Sequence, residues 1–310
     1  MEYFVESVLS IKAVAPVDAT HYAICNGGKI RYLIALNSVH AKKRLANNIS
    51  AYSGKLNILM RLLGALPYSV LSVAKLGLFV QVKPAEQVNT MLAELNCGSW
   101  NGIIGSYVEK QKVVLQCFDG AEPQKHAVYM KVGGSTSEQE MLTETNYLEH
   151  PIQSSLFYSP RMLRSQARKD GHAFNIQVTE EFVGTKMPPK VDESIYRIFR
   201  EISASKPTIL EEGTEKVFSH GDFTPWNIKK DGQKYVVFDW EYAGYRFYGF
   251  DLIHYMWQIE NKLNKLAEHE SIMSAIIVCK EWDSKLRSFS DQELEEQYFM
   301  ELHSQFGETL

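Results

Sequence analysis

The chain has 310 residues, 45% of them hydrophobic, which is enough for two or three structural units with cores of their own. Its formal net charge of −4 shows no basic bias, so the composition argues against nucleic acid as the main partner. The four cysteines are scattered, which argues against a disulfide framework or a zinc site and favours a reducing compartment.

Residues 55–82 form the most apolar region of the chain. Its longest stretch without a charged side chain, residues 62–74, has thirteen residues and is too short to cross a bilayer. We interpret the region as two core helices separated at Pro67, and contact of an amphipathic segment with a membrane surface is the less favoured alternative. The N-terminus lacks the positive start and apolar run of a signal peptide, so we expect a cytoplasmic protein.

Residues 1–95 are expected to form a mixed α/β leader domain. A strand is predicted over residues 30–36, after a glycine-containing turn, and helices are predicted over residues 39–52 and 85–95. The leader domain contains no cluster of catalytic residue types, so the sequence leaves its role open.

From Cys97 the hydrophobic pattern changes from a helical to a strand-like period. Strands are predicted over residues 107–116, 127–132 and 174–184. A helix is predicted to begin near Ser135, where Ser or Thr is followed three residues later by Glu or Gln. These residues therefore predict a mainly β region with one helix after its second strand.

Three residues of this region are candidates for a site. Lys131 lies in an apolar strand, where a charged side chain is unfavourable unless it is paired. Gly102 and Gly105 fit two of the three glycines of the pattern G-x-G-x-x-G, but Trp100 replaces the first glycine. A glycine-containing loop over phosphates and a plain turn are both compatible with these two glycines.

The stretch from Ser219 to Phe250 contains most of the side chains that could take part in catalysis or bind a metal ion. Asp231-Gly232 separates two short apolar runs, which predicts a β-hairpin. The hairpin would bring Asn227 and Asp239 together at its open end, where an amide oxygen beside a carboxylate suits Mg²⁺. Asp222 lies five residues before Asn227, as the catalytic aspartate does in the kinase pattern H-R-D-x-x-x-x-N.

The motifs His220-Gly-Asp-Phe-Thr-Pro-Trp-Asn227 and Asp239-Trp-Glu241 resemble those of the aminoglycoside phosphotransferase and choline kinase family. The motif match covers about thirty residues, and weaker agreement extends from Trp100 to Trp257. The resemblance implies an α+β, protein-kinase-like two-lobed fold with a small β-rich lobe and a helical large lobe.

The resemblance also implies a domain organisation. Residues 1–95 would be an additional N-terminal domain, residues 96–184 the small lobe, and residues 185–310 the large lobe with the catalytic loop and the metal site. The resembling family usually has more helical material in its large lobe, so this lobe would be a minimal one.

In the small lobe the resemblance implies a nucleotide-binding set. Lys131 would bind the nucleotide phosphates and pair with a helical glutamate. Glu144 occupies the place of that glutamate in the family's E-x-x-x-L pattern, and Glu140, one turn earlier, is the alternative. Gly102 and Gly105 would lie over the phosphates.

Adenine would be bound at the end of the last small-lobe strand, by Glu181, Phe182 and Val183. Asp222 would orient the acceptor hydroxyl and accept its proton. His220 would hold the catalytic loop through hydrogen bonds, and we do not expect it to transfer protons.

The metal ligands implied by the resemblance are Asn227, Asp239 and Glu241, with Mg²⁺ as the ion. Glu241 has an equal alternative role, in which it positions the neighbours of Asp222. We therefore hypothesise an ATP- and Mg²⁺-dependent phosphotransferase that transfers the γ-phosphate to a hydroxyl of a small molecule. A sugar or a glycan precursor is the favoured acceptor, because of the Pro-Trp-Asn variant of the motif. The alternatives are a kinase of a protein substrate and a pseudokinase-like nucleotide-binding scaffold. The sequence leaves open the oligomeric state and the choice between ATP and GTP.

Overall fold

A computed structural model describes residues 4–26, 28–38, 77–105, 110–120, 127–182, 184–211 and 214–306. The described residues form sixteen β-strands and seven α-helices, numbered here in chain order. The strands are β1 Leu9–Ala13, β2 His21–Asn26, β3 Lys29–Ala35, β4 Gly77–Pro84, β5 Cys97–Ile104, β6 Lys112–Asp119, β7 Ala127–Gly133, β8 Phe157–Tyr158, β9 Met162–Gln166, β10 Asn175–Glu180, β11 Thr185–Lys186, β12 Ile209–Glu211, β13 Thr214–Ser219, β14 Ile228–Asp231, β15 Lys234–Val237 and β16 Gly244–Phe247. The helices are α1 Phe4–Val8, α2 Glu86–Glu94, α3 Glu138–Glu149, α4 Glu193–Ser203, α5 Phe250–Gln258, α6 Glu268–Trp282 and α7 Asp291–Phe306.

The chain divides into two compact units. The first unit comprises Met1–Met141 and Arg161–Glu181, and the second comprises Leu142–Pro160 and Phe182–Leu310. The predicted α+β class is confirmed, because strands and helices are both present and the strand pairs are antiparallel with the single exception of β8 and β15 among the described residues.

The first unit is built on one nine-stranded antiparallel sheet with the strand order β1-β4-β2-β3-β5-β6-β7-β10-β9. Strand β3 pairs with β5 through Tyr32 opposite Ile103 and Leu33 opposite Gly102. Because β3 precedes residue 95 and β5 follows it, the predicted boundary between the leader domain and the small lobe falls inside a continuous sheet.

One apolar core covers a face of this sheet. Helix α2 buries Val88, Met91 and Leu92, whose i, i+3, i+4 spacing places them on one side of the helix. They belong to the same buried cluster as Val113 and Leu115 of β6. The leader segments therefore contribute to the same core as the strands of the predicted small lobe.

Several predicted elements are present in the first unit. Strand β3, helix α2 and strand β7 lie where the sequence predicts a strand, a helix and a strand. The prediction of core helices up to residue 82 is wrong from Gly77 onward, because Gly77–Pro84 forms strand β4 between β1 and β2. Its main-chain groups are paired on both sides, which outweighs a weak helical pattern in the sequence. The predicted helix over residues 39–52 and the rest of the apolar region up to residue 76 lie outside the described residues.

The second unit contains two smaller sheets and most of the helices. The sheets have the strand orders β11-β14-β15-β8 and β12-β13-β16. Helix α5 is buried over eight of its nine residues, so it forms the centre of this unit. Helix α7 spans Asp291–Phe306, as the sequence predicts. Among the described residues, none of the helices is long and apolar enough to cross a membrane.

Candidate active site

One buried carboxylate holds the loop that follows strand β13. Asp251, near the N-terminal end of α5, is only 1% exposed. Its oxygens accept hydrogen bonds from Ser219 Oγ at 2.6 Å, from the His220 N–H at 2.7 Å and from the Gly221 N–H at 3.0 Å. A buried carboxylate with three donors is well satisfied. The chain itself therefore fixes the start of the loop.

His220 links the loop to the hairpin. Its Nδ1 accepts from the Asp222 N–H at 3.2 Å, so its Nε2 carries the proton and donates to the Phe238 carbonyl oxygen at 3.1 Å. Burial lowers the pKa of His220, although the negative charges of Asp251 and Asp222 act in the opposite direction. A neutral imidazole with both nitrogens engaged fits the expected role of holding the loop.

Gly221 stands where the protein-kinase pattern has arginine, and the backbone explains why. Its φ is +85°, a left-handed conformation that favours glycine. A Cβ at this position would lie 2.1 Å from the carbonyl oxygen of Tyr242. The carbonyl oxygen of Gly221 also accepts from Gln305 Nε2 at 3.0 Å. Any side chain here would displace the loop.

Asp222 and Asn227 lie together, as their spacing predicts. Asn227 Nδ2 donates to the main-chain oxygen and to Oδ2 of Asp222, both at 2.9 Å. Asn227 is 4% exposed, whereas the Asp222 side chain is 21% exposed. Because the Asn227 amide nitrogen is directed at Asp222, its amide oxygen is the atom suited to a cation. Asp222 thus presents an oriented, accessible carboxylate.

The predicted hairpin is confirmed. Strands β14 and β15 pair from Ile228 opposite Val237 to Asp231 opposite Lys234, and Gly232 takes the positive φ of the turn. At the open end the Phe238 N–H donates to the Asn227 carbonyl oxygen at 3.1 Å. Folding of the hairpin therefore brings the loop ending at Asn227 beside the segment that begins with Asp239.

Asp239 has a strained backbone. Its φ is +69°, which few residues other than glycine adopt, although Asp and Asn tolerate it better than most. Such strain costs about 1–3 kcal/mol and occurs often at functional sites. The next residue, Trp240, is fully buried and donates from Nε1 to the Val237 carbonyl oxygen at 2.9 Å. The buried indole fixes the turn that presents Asp239.

Three carboxylates meet at this turn. Oxygens of Glu144, Asp239 and Glu241 lie within 4.8 Å of one another, all in the second unit. Carboxylate oxygens in this number suit a hard divalent cation such as Mg²⁺. The structure thus brings together two of the predicted metal ligands. It adds Glu144, for which the sequence predicts a pairing with Lys131.

The two candidate glutamates of α3 have different surroundings. Glu140 pairs with Lys110, whose Nζ lies 2.5 Å from Oε1, whereas Glu144 belongs to the acidic cluster. Lys131 lies in β7 of the first unit, opposite Val114 of β6 and Gln177 of β10. Glu140 thus forms an ion pair with Lys110, and the pairing of Lys131 with Glu144 stays a prediction.

Gly102 is not in a loop, so the prediction that it forms part of a phosphate-covering loop is corrected. It lies inside β5, paired with Leu33 on one side and Leu115 on the other. A Cβ there would lie 3.2 Å from the Leu33 Cβ, so close packing of the strands explains the glycine. Gly105 follows the strand, and its N–H donates to the Lys112 carbonyl oxygen at 3.2 Å. A nucleotide contact at Gly105 stays a prediction.

The predicted adenine-binding residues are only partly described. The Glu181 N–H donates to the Ala127 carbonyl oxygen at 3.2 Å, and the Glu181 carboxylate accepts from Gln116 Nε2 at 3.4 Å. The ring of Phe182 packs on Phe238 with centroids 4.4 Å apart. Val183 lies outside the described residues. Adenine binding by this segment stays a prediction, and the Glu181 N–H already has a main-chain acceptor.

His254 contacts the site and is not predicted from the sequence. This residue of α5 is fully buried, and its Nε2 lies 3.1 Å from Asp222 Oδ1. The available signal was a single ionisable side chain inside the apolar run Leu252-Ile-His-Tyr-Met-Trp257. A buried polar group needs a partner, but nothing in the sequence indicates that the partner is Asp222.

Comparison with known proteins supports the family resemblance. Residues 162–268 match the sequence model of the phosphotransferase enzyme family. This range contains the catalytic loop, the hairpin and the acidic turn, so the resemblance predicted from the motifs is confirmed. No curated protein matches the chain.

Several solved kinase structures are similar to the chain at low identity. An amicoumacin kinase in complex with AMP-PNP, Ca²⁺ and Ami is 11% identical, with a TM-score of 0.41 over 62% of this chain and 76% of that one. A choline kinase from Cryptosporidium parvum is 10% identical, with a TM-score of 0.38 over 56% and 69% of the two chains. A choline/ethanolamine kinase family protein from Mesorhizobium loti is 16% identical, with a TM-score of 0.36 over 61% and 75%.

Proposed function

We propose that the protein transfers the γ-phosphate of ATP to a hydroxyl group of a small molecule, with Mg²⁺. The match of residues 162–268 to the sequence model of the phosphotransferase enzyme family supports this proposal. The observation that carries this proposal is the geometry of Asp222. Its carboxylate is accessible and is held by Asn227, in a loop that Asp251 and His220 fix. A positioned carboxylate is the general base that hydroxyl phosphorylation uses.

In the proposed reaction the acceptor oxygen forms a bond to the γ-phosphorus. The bond from that phosphorus to the bridging oxygen breaks, and ADP leaves with the electron pair. Asp222 accepts the hydroxyl proton. Its hydrogen bond from Asn227 keeps the receiving carboxylate in one orientation.

The acidic turn is the proposed cation site. Asp239 and Glu241, with the amide oxygen of Asn227, would hold Mg²⁺, and Glu144 lies close enough to join them. A bound Mg²⁺ would neutralise charge on the phosphates. Lys131, Gly105 and the segment from Glu181 are proposed to bind the nucleotide.

A sugar or glycan precursor is the proposed acceptor, on the strength of the Pro-Trp-Asn motif. A cytoplasmic location is part of the proposal and follows from the scattered cysteines.

The test is a turnover screen with Mg-ATP over sugars, glycans, choline-like alcohols and aminoglycosides, run with Asp222→Asn in parallel. We expect one acceptor class to be phosphorylated. The variant should be slower by about 10²–10⁴-fold, with nucleotide affinity within about 2-fold of the parent. Equal turnover by the variant would remove Asp222 as the base. Nucleotide binding without turnover on any acceptor would favour the scaffold alternative.

A further inference from the structure

A second buried histidine stands behind Asp222. His254 of α5 is 0% exposed, with Nε2 at 3.1 Å from Asp222 Oδ1 and Nδ1 at 2.8 Å from the hydroxyl oxygen of Tyr298 on α7. We propose that Tyr298 and His254 are positioning residues: the tyrosine hydroxyl fixes the His254 proton on Nε2, and that N–H holds the Asp222 carboxylate. This inference rests on the proposed function, in which Asp222 is the base.

The position of the proton follows from Tyr298. The side chain is fully buried, so its O–H has to donate to a nearby acceptor. Burial, followed by the negative charge of Asp222, holds the pKa of Tyr298 well above its usual range, so the hydroxyl keeps its proton. The hydroxyl therefore donates to Nδ1 of His254. A neutral imidazole that accepts at Nδ1 carries its proton on Nε2, the nitrogen that faces Asp222.

Gln258 is a third neighbour of this nitrogen. Its amide nitrogen lies 3.2 Å from His254 Nε2, while its Oε1 is one of the buried polar atoms of the described residues that lack a hydrogen-bond partner. Two donors facing each other would be unfavourable, so a proton on Nε2 requires the opposite orientation of the amide. Oε1 would then share the Nε2–H with Asp222 Oδ1, and the amide nitrogen would occupy the position without a partner.

The imidazole is also held in plane. Its ring stacks on Phe250 with centroids 5.6 Å apart and an interplanar angle of 10°. The ring is therefore held by Phe250 at its face and by hydrogen-bond partners at its two nitrogens. Such a group can orient another side chain with little loss of conformational entropy at the moment of reaction.

The consequence for Asp222 is that both carboxylate oxygens are restrained. Oδ1 lies at His254, and Oδ2 accepts from Asn227 at 2.9 Å. An oxygen has more than one lone pair, so each can still accept from a substrate hydroxyl. Without His254 the carboxylate could turn about its terminal bond. A misplacement of about 1 Å can cost about 10²-fold in rate.

His254 and His220 differ in what they hold. His220 accepts from the main-chain N–H of Asp222 and so fixes the loop. His254 contacts the carboxylate of Asp222 and so fixes the reacting group. Substitution of His254 should therefore affect turnover with little effect on nucleotide binding.

The first experiment needs no substrate. ¹⁵N NMR of the histidine rings in the full chain, assigned by loss of a signal in His254→Gln, reports which nitrogen is protonated. We expect protonated Nε2 and unprotonated Nδ1, a shifted Nδ1 signal in Tyr298→Phe, and a shifted Nε2 signal in Asp222→Asn. Protonation at Nδ1, or no change in either variant, would overturn the proposal.

The second experiment is kinetic, on whichever acceptor the parent protein phosphorylates. His254→Phe should lower kcat by about 10²-fold and leave the KM for ATP within about 2-fold. His254→Gln keeps an N–H near the position of Nε2, so kcat should recover to within about 10-fold of the parent. The matched control is His150→Gln, at an exposed histidine, which should behave as the parent.

Folding is controlled by the double variant His254→Phe with Tyr298→Phe. In His254→Phe alone, the Tyr298 hydroxyl stays buried without its acceptor, which destabilises the fold. The double variant removes that hydroxyl, so it should fold even if His254→Phe does not. Parental kcat in a folded His254→Phe variant, or equal loss in the Gln and Phe variants, would overturn the positioning role. If the parent phosphorylates no acceptor, the proposed function fails, and the NMR experiment alone decides the hydrogen-bond chain.

Discussion

The loop from His220 to Asn227 and the turn from Asp239 to Glu241 both carry acidic side chains, but they are held in different ways. In the loop the positive φ falls on Gly221, and Asp251 satisfies the main-chain N–H groups. In the turn the positive φ falls on Asp239, and three carboxylates crowd within 4.8 Å. The chain positions the loop by itself, whereas the turn concentrates negative charge that a divalent cation would share.

This comparison separates two kinds of substitution. A change at His220 or Gly221 of the loop should act mainly on folding, because it breaks hydrogen bonds or packing that the chain itself supplies, whereas a change at Asp222 should act on turnover. A change in the turn should act mainly on cation binding and turnover, because its carboxylates are the proposed ligands of the ion. The predictions below test this division.

Of the substitutions that test this division, Asp239→Asn is expected to have the largest effect. Asparagine tolerates a positive φ, so the backbone should be kept while one negative charge is lost. A metal ligand contributes several kcal/mol, so we expect kcat to fall by about 10²–10³-fold and the Mg²⁺ dependence of turnover to move to at least about 10-fold higher concentration.

The matched control is Asp231→Asn, at the other end of the same hairpin, where the carboxylate is exposed and accepts from the Tyr158 hydroxyl at 2.6 Å. Its turnover should stay within about 2-fold of the parent. An unchanged Mg²⁺ dependence in Asp239→Asn would show that the turn does not bind the ion.

Gly221→Ala is predicted to act on stability. A Cβ would lie 2.1 Å from the Tyr242 carbonyl oxygen at a φ of +85°. The left-handed conformation costs about 1–2 kcal/mol and the overlap adds to it, so the free energy of unfolding should fall by about 3 kcal/mol or more. Denaturant unfolding monitored by tryptophan fluorescence measures the change.

Gly232→Ala separates these two causes. Gly232 also has a positive φ, +59°, but nothing lies within 4 Å of a Cβ there. This variant should lose only about 1 kcal/mol. If the two variants were equally destabilised, the close approach of Tyr242 would not be what requires glycine in the loop.

The same contrast explains how much of the site the sequence could predict. Asp222, Asn227 and the hairpin depend on local spacing and on the Asp-Gly turn, so the sequence was sufficient for their arrangement. Glu144 and His254 reach the site from α3 and α5, which are distant in sequence. Their contacts depend on how helices pack, and a single sequence carries no direct signal of that.

The fold shows the same limit. Strand β7 and helix α7 were predictable because each has a clear hydrophobic period. The sequence predicts a loop at Gly102 because glycine is common in loops, whereas its pairing with Leu33 and Leu115 makes it a strand residue. Strand β4 was misassigned because its partners β1 and β2 lie at least fifty residues earlier, as the residue numbers show.

The last prediction concerns acid, which should lower the free energy of unfolding through the His220 loop. His220 is neutral in the folded protein because burial lowers its pKa. Below the usual histidine pKa of 6.5 the unfolded chain binds a proton that the folded loop does not. The free energy of unfolding should therefore fall as the pH drops below 6.5 and should show no contribution from this residue at higher pH.

His21 in the first unit also lowers the free energy of unfolding at acid pH, so its contribution has to be measured separately from that of His220. Burial lowers its pKa from 6.5 to about 4, so the free energy of unfolding should fall by about 2 kcal/mol between pH 7.5 and pH 5 through this residue alone. His21→Gln should remove its part of the change in the free energy of unfolding with pH, and His220→Gln should remove a further part. His150→Gln, at an exposed histidine, should leave this pH dependence unchanged. Because each variant also changes stability at pH 7.5, the slope with pH is the quantity to compare. A parental slope in His220→Gln would mean that the loop does not depend on a neutral imidazole, and its rigidity would then have to come from Asp251.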